Sequence, residues 1–199
     1  MALLEVFSAV QKEGNRAPQV AFLTPFADPR RTVRELYENL YSKNIHPELW
    51  FRWEGKPLIL ADKAQVDPDL HEFFTFRRPQ PDYFMGPIEP DMWSWLEVYP
   101  QHVFHNSAGE KEQMSVGVGQ NAVEDERGLR LGTMSEPTSR GRSFHNGQDD
   151  PRPNAVLYGY NFAEQWDRAL KEDPRSVFVT GWNEWIAGRF DAFNDKKLP

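Results

Sequence analysis

Apolar residues recur along the chain with two spacings, one typical of amphipathic helices and one typical of buried strands. At the start, Leu3, Leu4, Phe7 and Val10 follow helical spacing, and Gly14 interrupts the pattern. The pattern predicts helices over 1–13, 32–43 and 161–170, strands over 20–24, 92–99, 114–119 and 176–180, and a strand pair within 49–61. Helices and strands therefore alternate, which favours an α/β fold with a mainly parallel sheet.

Polar and turn-forming residues set the limits of several segments. Thr32 and Glu35 fit a capping box, so we expect the second helix to begin at Thr32. Glu54-Gly55 marks the turn between the paired strands. Residues 122–155 form a long polar stretch rich in Gly and Arg, which is typical of a functional or disordered loop.

The chain length and the number of predicted strands are smaller than a complete barrel requires. A complete barrel of eight strand–helix units typically takes ~250 residues. This sequence has 199 residues and roughly five or six candidate strands. We therefore expect one domain over 1–199 that forms an incomplete (β/α) TIM-type barrel, truncated at both ends. The open edges of such a sheet favour self-association.

The last predicted strand runs directly into a motif that combines aromatic and polar groups. Soon after 176–180 come Trp182, Asn183, Glu184 and Trp185. The carboxyl ends of barrel strands carry the catalytic groups of α/β barrels, and indole rings beside hydrogen-bonding groups suit sugar rings. The alternative is that both tryptophans belong to the core and that Glu184 lies on the surface.

Composition narrows the classes of partner and chemistry. The net charge of −7 argues against nucleic acid or an anionic membrane as the main partner. The chain has no apolar run near the length of a membrane span, and its first residues do not have the pattern expected of a signal peptide, so its compartment stays open. With no cysteine there is no disulfide or thiol nucleophile. The five histidines show no H-E-x-x-H pattern, and no phosphate-binding loop follows a strand, so we expect no metal and no cofactor.

Five blocks of the sequence carry a family resemblance. They are G-K-P-L-I-L at 55–60, W-S-W-L-E-V-Y-P-Q at 93–101, V-G-V-G-Q-N at 116–121, G-R-S-F-H-N-G at 141–147 and V-T-G-W-N-E-W at 179–185. They resemble the carboxyl-terminal part of TIM-barrel glycoside hydrolases related to glycoside hydrolase family 99, which is endo-α-mannosidase-like, and the WbsX-type proteins of polysaccharide gene clusters. The W-N-E-W block is the most specific part.

The resemblance implies a glycoside hydrolase that acts on oligo- or polysaccharides. The family's strand-end motif, N-E-W-x-E-G, places its first carboxylate on Glu184. The resemblance implies that this residue helps the sugar's own 2-hydroxyl to act as nucleophile. The second carboxylate, the family's general acid/base, falls on Ala187, which cannot donate a proton. The chain therefore departs from the family at half of its catalytic pair.

A glycosidase of the usual kind needs a second carboxyl group. Glu97 is the first candidate, because alternation along its predicted strand places it on one face with Trp93 and Trp95. Glu136 in the long loop and Asp62 at a strand end are further candidates. The alternative for Glu97 is a solvated edge position, and we expect at least two of the four candidate tryptophans to lie in the core.

Two further groups of side chains offer hydrogen bonds to sugar hydroxyls. Gln120 and Asn121 follow a predicted strand, with simple capping of the strand end as the alternative. Arg142, His145 and Asn146 lie close together in a glycine-flanked turn. We expect both groups to contribute to carbohydrate binding, although a single histidine is more often structural.

Three function classes follow from these residues. The first is a glycoside hydrolase with a carbohydrate substrate, acting through Glu184 and Glu97. The second is a non-catalytic carbohydrate-binding barrel that keeps the cleft and has lost the acid, as Ala187 suggests. The third is a polysaccharide-biosynthesis role of the WbsX type, which would need a site for an activated sugar donor.

Overall fold

The structure is a computed structural model that describes residues 2–24, 28–79, 83–120, 122–132 and 138–181, and the backbone of 192–193 and 196–197. The chain divides into two compact units, Met1–Pro81 and Asp82–Pro199. Each unit combines helix with parallel strands, so the predicted mixed α/β class with a parallel sheet is confirmed. The expectation of one domain over 1–199 stays a prediction.

The first unit contains two helices and four strands in its described part. They are α1 (Ala2–Lys12), β1 (Phe22–Leu23), α2 (Pro29–Leu36), β2 (Arg52–Trp53), β3 (Lys56–Leu60) and β4 (Thr75–Pro79). A wider π-type turn, Tyr37–Tyr41, continues α2. Short 3₁₀ turns at Pro47–Leu49, Lys63–Gln65 and Pro68–Leu70 connect the strands.

Strand β3 is the centre of the sheet in the first unit. It pairs in parallel with β1 and with β4, so that Ile59 lies opposite Phe22 on one side and Phe76 on the other. Strand β2 pairs with β3 in the antiparallel sense. The predicted turn between them is confirmed, since Glu54 and Gly55 both have positive φ angles of 52° and 83°.

Apolar side chains from the helices cover this sheet. Val33 of α2 and Ile59 of β3 are both fully buried, and Tyr41 packs edge-on against Trp50 at 4.8 Å between ring centroids. Burial of side chains of this size contributes roughly 1.5–3 kcal/mol each. The helical stripe predicted from the sequence is thus the face that joins α2 to β3.

The start of α2 differs from the prediction. The N-cap is Asp28, whose carboxylate accepts a hydrogen bond from the backbone N–H of Arg31 at 3.1 Å. Pro29 occupies the first helical position, where its missing N–H costs nothing. Thr32 lies inside the first turn, so the predicted capping box at Thr32 is wrong.

The second unit contains more strands than the prediction gave, and several have only two residues. They are β5 (Met92–Trp93), β6 (Phe104–His105), β7 (Lys111–Gly117), β8 (Ala122–Asp125), β9 (Gly128–Leu131), β10 (Phe144–His145), β11 (Gln148–Asp149), β12 (Ser176–Thr180), β13 (Ala192–Phe193) and β14 (Lys196–Lys197). A 3₁₀ turn, Ala155–Leu157, precedes α3 (Tyr160–Glu172). In the described ranges no helix is long and apolar enough to span a membrane.

Strand β7 is the centre of the second unit. It pairs in parallel with β12 over five residues, from Ser176 opposite Gln113 to Thr180 opposite Gly117, and in the antiparallel sense with β6. Helix α3 connects the hairpins to β12 and packs its Ala169 against Met114 of β7. The helix predicted over 161–170 and the last predicted strand, over 176–180, are therefore both confirmed.

The predicted strand over 92–99 is wrong beyond its first two residues. Only β5 is extended and paired. The N–H and C=O of Ser94 bond to the side-chain amide of Gln113 at 2.9 Å each, in place of a neighbouring strand. The alternation of apolar residues there reflects burial in an irregular segment, which a periodicity of two cannot distinguish from a strand.

The predicted loop over 122–155 also differs from the structure. Strands β8 and β9 form one antiparallel hairpin, and β10 and β11 form another. The second hairpin turns at Asn146-Gly147, whose φ angles are 50° and 79°. An Asn-Gly pair is the usual signal of a two-residue hairpin turn, so this hairpin had a signal in the sequence.

Candidate functional site

The Glu97 side chain lies fully inside the second unit. Its exposed fraction is 0%, and its Oε2 atom lies 2.7 Å from Nδ1 of His102 and accepts the backbone N–H of His102 at 3.2 Å. A buried carboxylate is costly unless it is hydrogen-bonded. His102 therefore holds Glu97 with both its backbone and its ring.

The ring nitrogen that faces Glu97 is Nδ1. An ionised carboxylate can only accept hydrogen bonds, so opposite an ionised Glu97 this nitrogen is the donor. The ring is 39% exposed. Within the part of the chain that the structure describes, Nε2 has no hydrogen-bond partner. The His102 ring is thus held by Glu97 and is partly open to solvent.

The imidazole of His102 packs directly on the backbone at Gly86. A Cβ atom on Gly86 would lie 2.5 Å from Cδ2 and 2.9 Å from Nε2 of His102. The φ angle of Gly86 is +70°, a conformation that also disfavours any other residue. Glycine at this position is therefore what allows the ring to sit where Glu97 holds it.

Tyr83, three residues before Gly86, belongs to a pair of aromatic rings. Tyr83 packs edge-on against Trp95 with 5.5 Å between ring centroids and an angle of 81°. Both side chains are half-buried, so each keeps part of its ring surface accessible. The short segment from Tyr83 to Gly86 therefore joins the Tyr83–Trp95 pair to the imidazole of His102.

Trp93 does not share this surface. Its side chain is buried, and its Nε1–H donates to Oε2 of Glu112 at 2.7 Å. Glu112 is itself fully buried and lies 3.9 Å from a guanidinium nitrogen of Arg175. The expectation that Trp93, Trp95 and Glu97 share one face of a strand loses its basis, because the chain is not a strand beyond Trp93. Trp93 and Glu97 are buried, whereas Trp95 is half-buried.

The side chain of Gln120 lies in the interior of the second unit and bonds to protein groups. It is fully buried, its Oε1 accepts the backbone N–H of Tyr99 at 3.2 Å, and its Nε2 donates to Oδ1 of Asn161 at 3.4 Å. These bonds tie the end of β7 to α3 and favour the capping alternative over sugar binding. Asn121 lies outside the described residues.

Arg142, His145 and Asn146 belong to the second hairpin and its approach, and helix α3 holds this segment. The His145 ring packs on Tyr160 at 4.5 Å between centroids, and its Nδ1 lies 2.9 Å from the carbonyl oxygen of Ser143. The N–H of Asn146 donates to Oε1 of Glu164 at 2.8 Å. The side chains of Arg142 and Asn146 are exposed, so this hairpin forms a polar and aromatic surface.

An ion pair anchors the end of the hairpin. The guanidinium of Arg152 donates to both carboxylate oxygens of Asp150, and this contact lowers the pKa of Asp150 to about 2. Nε2 of His145 lies 3.9 Å from the same carboxylate. Arg152 also lies over the ring of Tyr160, 5.4 Å from its centroid. Charge and ring contacts together hold the hairpin beside the start of α3.

The W-N-E-W motif falls outside the described residues, so Trp182, Asn183, Glu184 and Trp185 carry no structural account, and the same holds for Ala187 and Glu136. The strand that leads to the motif is described. β12 ends at Thr180 in parallel register with Gly117, and Gly181 follows with a φ angle of +68°. The predicted strand-end position of the motif thus rests on a confirmed strand.

Asp62 follows β3 in the first unit, and its carboxylate contacts other groups of that unit. Its carboxylate accepts the N–H of Ala64 at 3.0 Å and the side chain of Gln65 at 3.1 Å, and lies 3.5 Å from Arg78. These contacts cap a 3₁₀ turn, which is a structural role for this strand-end carboxylate.

A cavity of about 250 Å³ opens in the first unit between α1 and α2. Its walls are mostly apolar, with Leu4, Phe22, Leu36 and Leu40 beside Thr32, Glu35 and Asn39. It contains no pair of groups suited to acid–base chemistry. Across the described ranges, no group of three or more His, Asp or Glu side chains is arranged to hold a metal ion.

Two residues of the candidate site, Tyr83 and His102, carry no signal in the sequence. No motif of the sequence includes His102, and the nearby His105 lies exposed on β6. The contacts of His102 with Glu97 and with Gly86 arise from a loop whose path no periodicity encodes. Compared with known proteins, the chain matches no family model, no curated protein and no solved structure.

Proposed function

We propose that the chain is a carbohydrate-processing protein that hydrolyses glycosidic bonds in the second unit. The observation that carries this proposal is the Tyr83–Trp95 pair joined by a short loop to the Glu97–His102 pair. Half-buried aromatic rings can stack on the C–H faces of sugars, and a carboxylate-bound imidazole can transfer protons.

The finer architecture belongs to the same proposal. In each unit parallel strands end in polar residues, such as Thr24 after β1, Asp62 after β3 and the W-N-E-W motif after β12. Open and closed α/β sheets place ligands at the carboxyl ends of their strands. We assign the chain to an incomplete (β/α) barrel of the family 99-like and WbsX-like group on the strength of its sequence blocks and this placement.

In this proposal Glu184 supplies the strand-end carboxylate, and the buried Glu97 contributes through its contact with His102. The sugar is bound by the three neighbours of Glu184 in the motif, Trp182, Asn183 and Trp185. The surface of Arg142, His145 and Asn146 offers donors for hydroxyl groups of a longer glycan. An oligo- or polysaccharide substrate therefore fits better than a monosaccharide.

A second candidate is a carbohydrate-binding protein without catalysis. Its support is that Glu97 is fully buried, which keeps its carboxylate from a substrate, and that Ala187 replaces the family's acid/base. The Tyr83–Trp95 pair would then bind sugar without turnover.

One experiment separates the two candidates. The purified chain is applied to a glycan array and to a panel of nitrophenyl α- and β-glycosides, together with Trp95→Ala and Glu184→Gln. Trp53→Ala, which removes a half-buried indole of the first unit, is the matched control. For a hydrolase we expect Trp95→Ala to weaken binding about tenfold and Glu184→Gln to abolish turnover.

The outcomes are distinct. Binding that survives Glu184→Gln, with turnover by none of the proteins, supports the binding protein and rejects the hydrolase. Equal losses in Trp95→Ala and Trp53→Ala would mean that the Tyr83–Trp95 pair is not the sugar platform. If the parent neither binds nor cleaves any glycan, the carbohydrate assignment is wrong.

A further inference from the structure

We infer that the rings of Tyr158 and Tyr160, together with the guanidinium of Arg152, form a second sugar-binding surface in the second unit. The inference rests on the proposed carbohydrate function and deepens it, because it gives the glycan a contact other than the Tyr83–Trp95 pair. It applies to a hydrolase and to a binding protein alike, since it involves binding and no chemical step.

Three aromatic rings follow one another beside the hairpin of β10 and β11. The ring centroid of His145 lies 4.5 Å from that of Tyr160, and Tyr160 lies 5.5 Å from Tyr158, with interplanar angles of 32° and 30°. His145 and Tyr160 are half-buried, whereas Tyr158 is 63% exposed. Tyr158 therefore leaves most of its surface to solvent, and a ring face in solvent can stack on the C–H face of a sugar.

The backbone holds Tyr158 in this exposed position. Ala155–Leu157 is a 3₁₀ turn, and the N–H of Tyr158 donates to the carbonyl oxygen of the buried Ala155 at 3.2 Å. Asn154 and Gly159, on either side, have φ angles of 64° and 66°. A ring carried by a hydrogen-bonded turn loses less conformational entropy on binding than a ring on a mobile segment.

The exposed apolar surface at this turn extends beyond one side chain. Val156 and Leu157 directly precede Tyr158, and their exposed fractions are 51% and 74%. Single exposed apolar residues are ordinary on protein surfaces, whereas a continuous exposed patch marks a binding surface. Three such residues in succession therefore indicate that a ligand or partner covers this turn.

Arg152 supplies hydrogen-bond donors beside the rings. Its Nε and Nη2 atoms donate to Asp150, and Nη2 also donates to the hydroxyl oxygen of Tyr160 at 3.1 Å. Among the described residues, Nη1 has no hydrogen-bond partner, and the Arg152 side chain is 63% exposed. The ion pair thus fixes the guanidinium and leaves the Nη1 donors for a hydroxyl group of a ligand.

This combination of groups favours a sugar as the ligand. A sugar ring presents C–H faces and hydroxyl edges, and the tyrosine rings and the Arg152 donors match these two kinds of surface. The net charge of −7 disfavours nucleic acid and anionic membranes. A second copy of this chain, which would cover Val156 and Leu157, is the competing occupant that the test must distinguish.

NMR of the tyrosine rings tests the surface directly. The full chain, labelled with ¹³C-tyrosine, is titrated with a short oligosaccharide taken from the glycan that binds best on the array. We expect the ring signals of Tyr158 and Tyr160, assigned with Tyr158→Phe and Tyr160→Phe, to shift until the surface is saturated.

The variants give the contribution of each group. Tyr158→Ala should weaken the affinity reported by the Tyr160 signal about tenfold, and Arg152→Ala should weaken it by about the same factor. Leu157→Ala removes the neighbouring exposed side chain but no ring. It is the matched control and should change the affinity by no more than about twofold.

The contrary outcomes are distinct. Tyrosine signals that do not move, while Trp95→Ala loses glycan binding, overturn this inference and leave the proposed function standing. Unchanged affinity in Tyr158→Ala, or equal losses in Tyr158→Ala and Leu157→Ala, also overturns it. If sedimentation shows a parent dimer that both variants dissociate, and sugar moves neither ring, the turn is a contact between copies and the inference is wrong. If the parent binds no glycan, the inference and the proposed function both fail.

Discussion

The side-chain amide of Gln165 pairs with both backbone polar groups of Gly117. The N–H of Gly117 donates to Oε1 of Gln165, and Nε2 of Gln165 donates to the carbonyl oxygen of Gly117, each at 2.9 Å. Helix α3 thereby continues the hydrogen bonding of β7 at its carboxyl end. Gln165 is 1% exposed, so no water replaces these bonds readily.

We predict that Gln165→Met destabilises the second unit by ~2–4 kcal/mol, because it leaves a buried N–H and a buried C=O of Gly117 unpaired. Urea unfolding followed by circular dichroism measures this change. Asp167→Asn, on the exposed side of the same helix, is the control and should change stability by less than ~0.5 kcal/mol. Similar effects of both substitutions would contradict the role given to Gln165.

Gly147→Ala should destabilise the hairpin of β10 and β11. The φ angle of Gly147 is +79° with open space around it, so the cost is conformational and amounts to ~1–2 kcal/mol. Gly141→Ala is the matched control, since Gly141 has no positive φ angle and the nearest atom to an added Cβ is 4.0 Å away. Thermal unfolding of the two variants makes the comparison, and a larger loss in Gly141→Ala would contradict it.

Arg152→Gln should raise the pKa of Asp150 from about 2 toward its ordinary value of 3.8, because the lowering comes mainly from the hydrogen bonds of the Arg152 side chain. A carboxyl group with a lowered folded-state pKa adds stability above its unfolded pKa, and that stability is lost as the pH falls through the folded value. The parent therefore loses this contribution between about pH 4 and pH 2.

Carbon-detected NMR titration of Asp150 measures this shift. The control is Arg127→Gln, which removes one of the two arginine contacts of Asp125 in the other hairpin and should leave the pKa of Asp150 unchanged. An Asp150 that still titrates near pH 2 without the guanidinium of Arg152 would show that another group sets its pKa.

Asp28→Ala should cost ~1 kcal/mol through loss of the N-cap of α2. The carboxylate of Asp28 accepts the N–H of Arg31, whereas Thr32 lies within the first turn. Thr32→Ala should therefore change stability by less than ~0.5 kcal/mol. Chemical denaturation of both variants decides between the two positions, and a greater loss in Thr32→Ala would restore the capping box that the sequence favoured.

The spacing of apolar residues along the chain was sufficient to predict the helices and strands that bury one face. Helices α1 and α3 and strands β3, β7 and β12 appear where apolar periodicity places them, because a helix or strand buries one face whatever covers it. The turn at Glu54-Gly55 was also readable, since its backbone needs positive φ angles.

Only part of the candidate site could be predicted from the sequence. Glu97 and Trp95 were predicted from their residue types and from alternation along a strand that the structure does not contain, and the structure places Trp95 beside Tyr83 and Glu97 beside His102. Trp93 was chosen on the same grounds, yet it turns inward to Glu112, nineteen residues away. Residue type indicates the chemistry a side chain can do and says nothing of which neighbour it meets.

The sequence by itself determined the α/β class, the main helices and strands and the residue types available for carbohydrate chemistry. The tertiary structure alone decided which buried polar groups pair. Each buried carboxylate or amide must find a partner, and for Glu97, Trp93 and Gln165 that partner depends on loop paths and helix packing. Such contacts follow from three-dimensional proximity, which periodicity along the chain does not record.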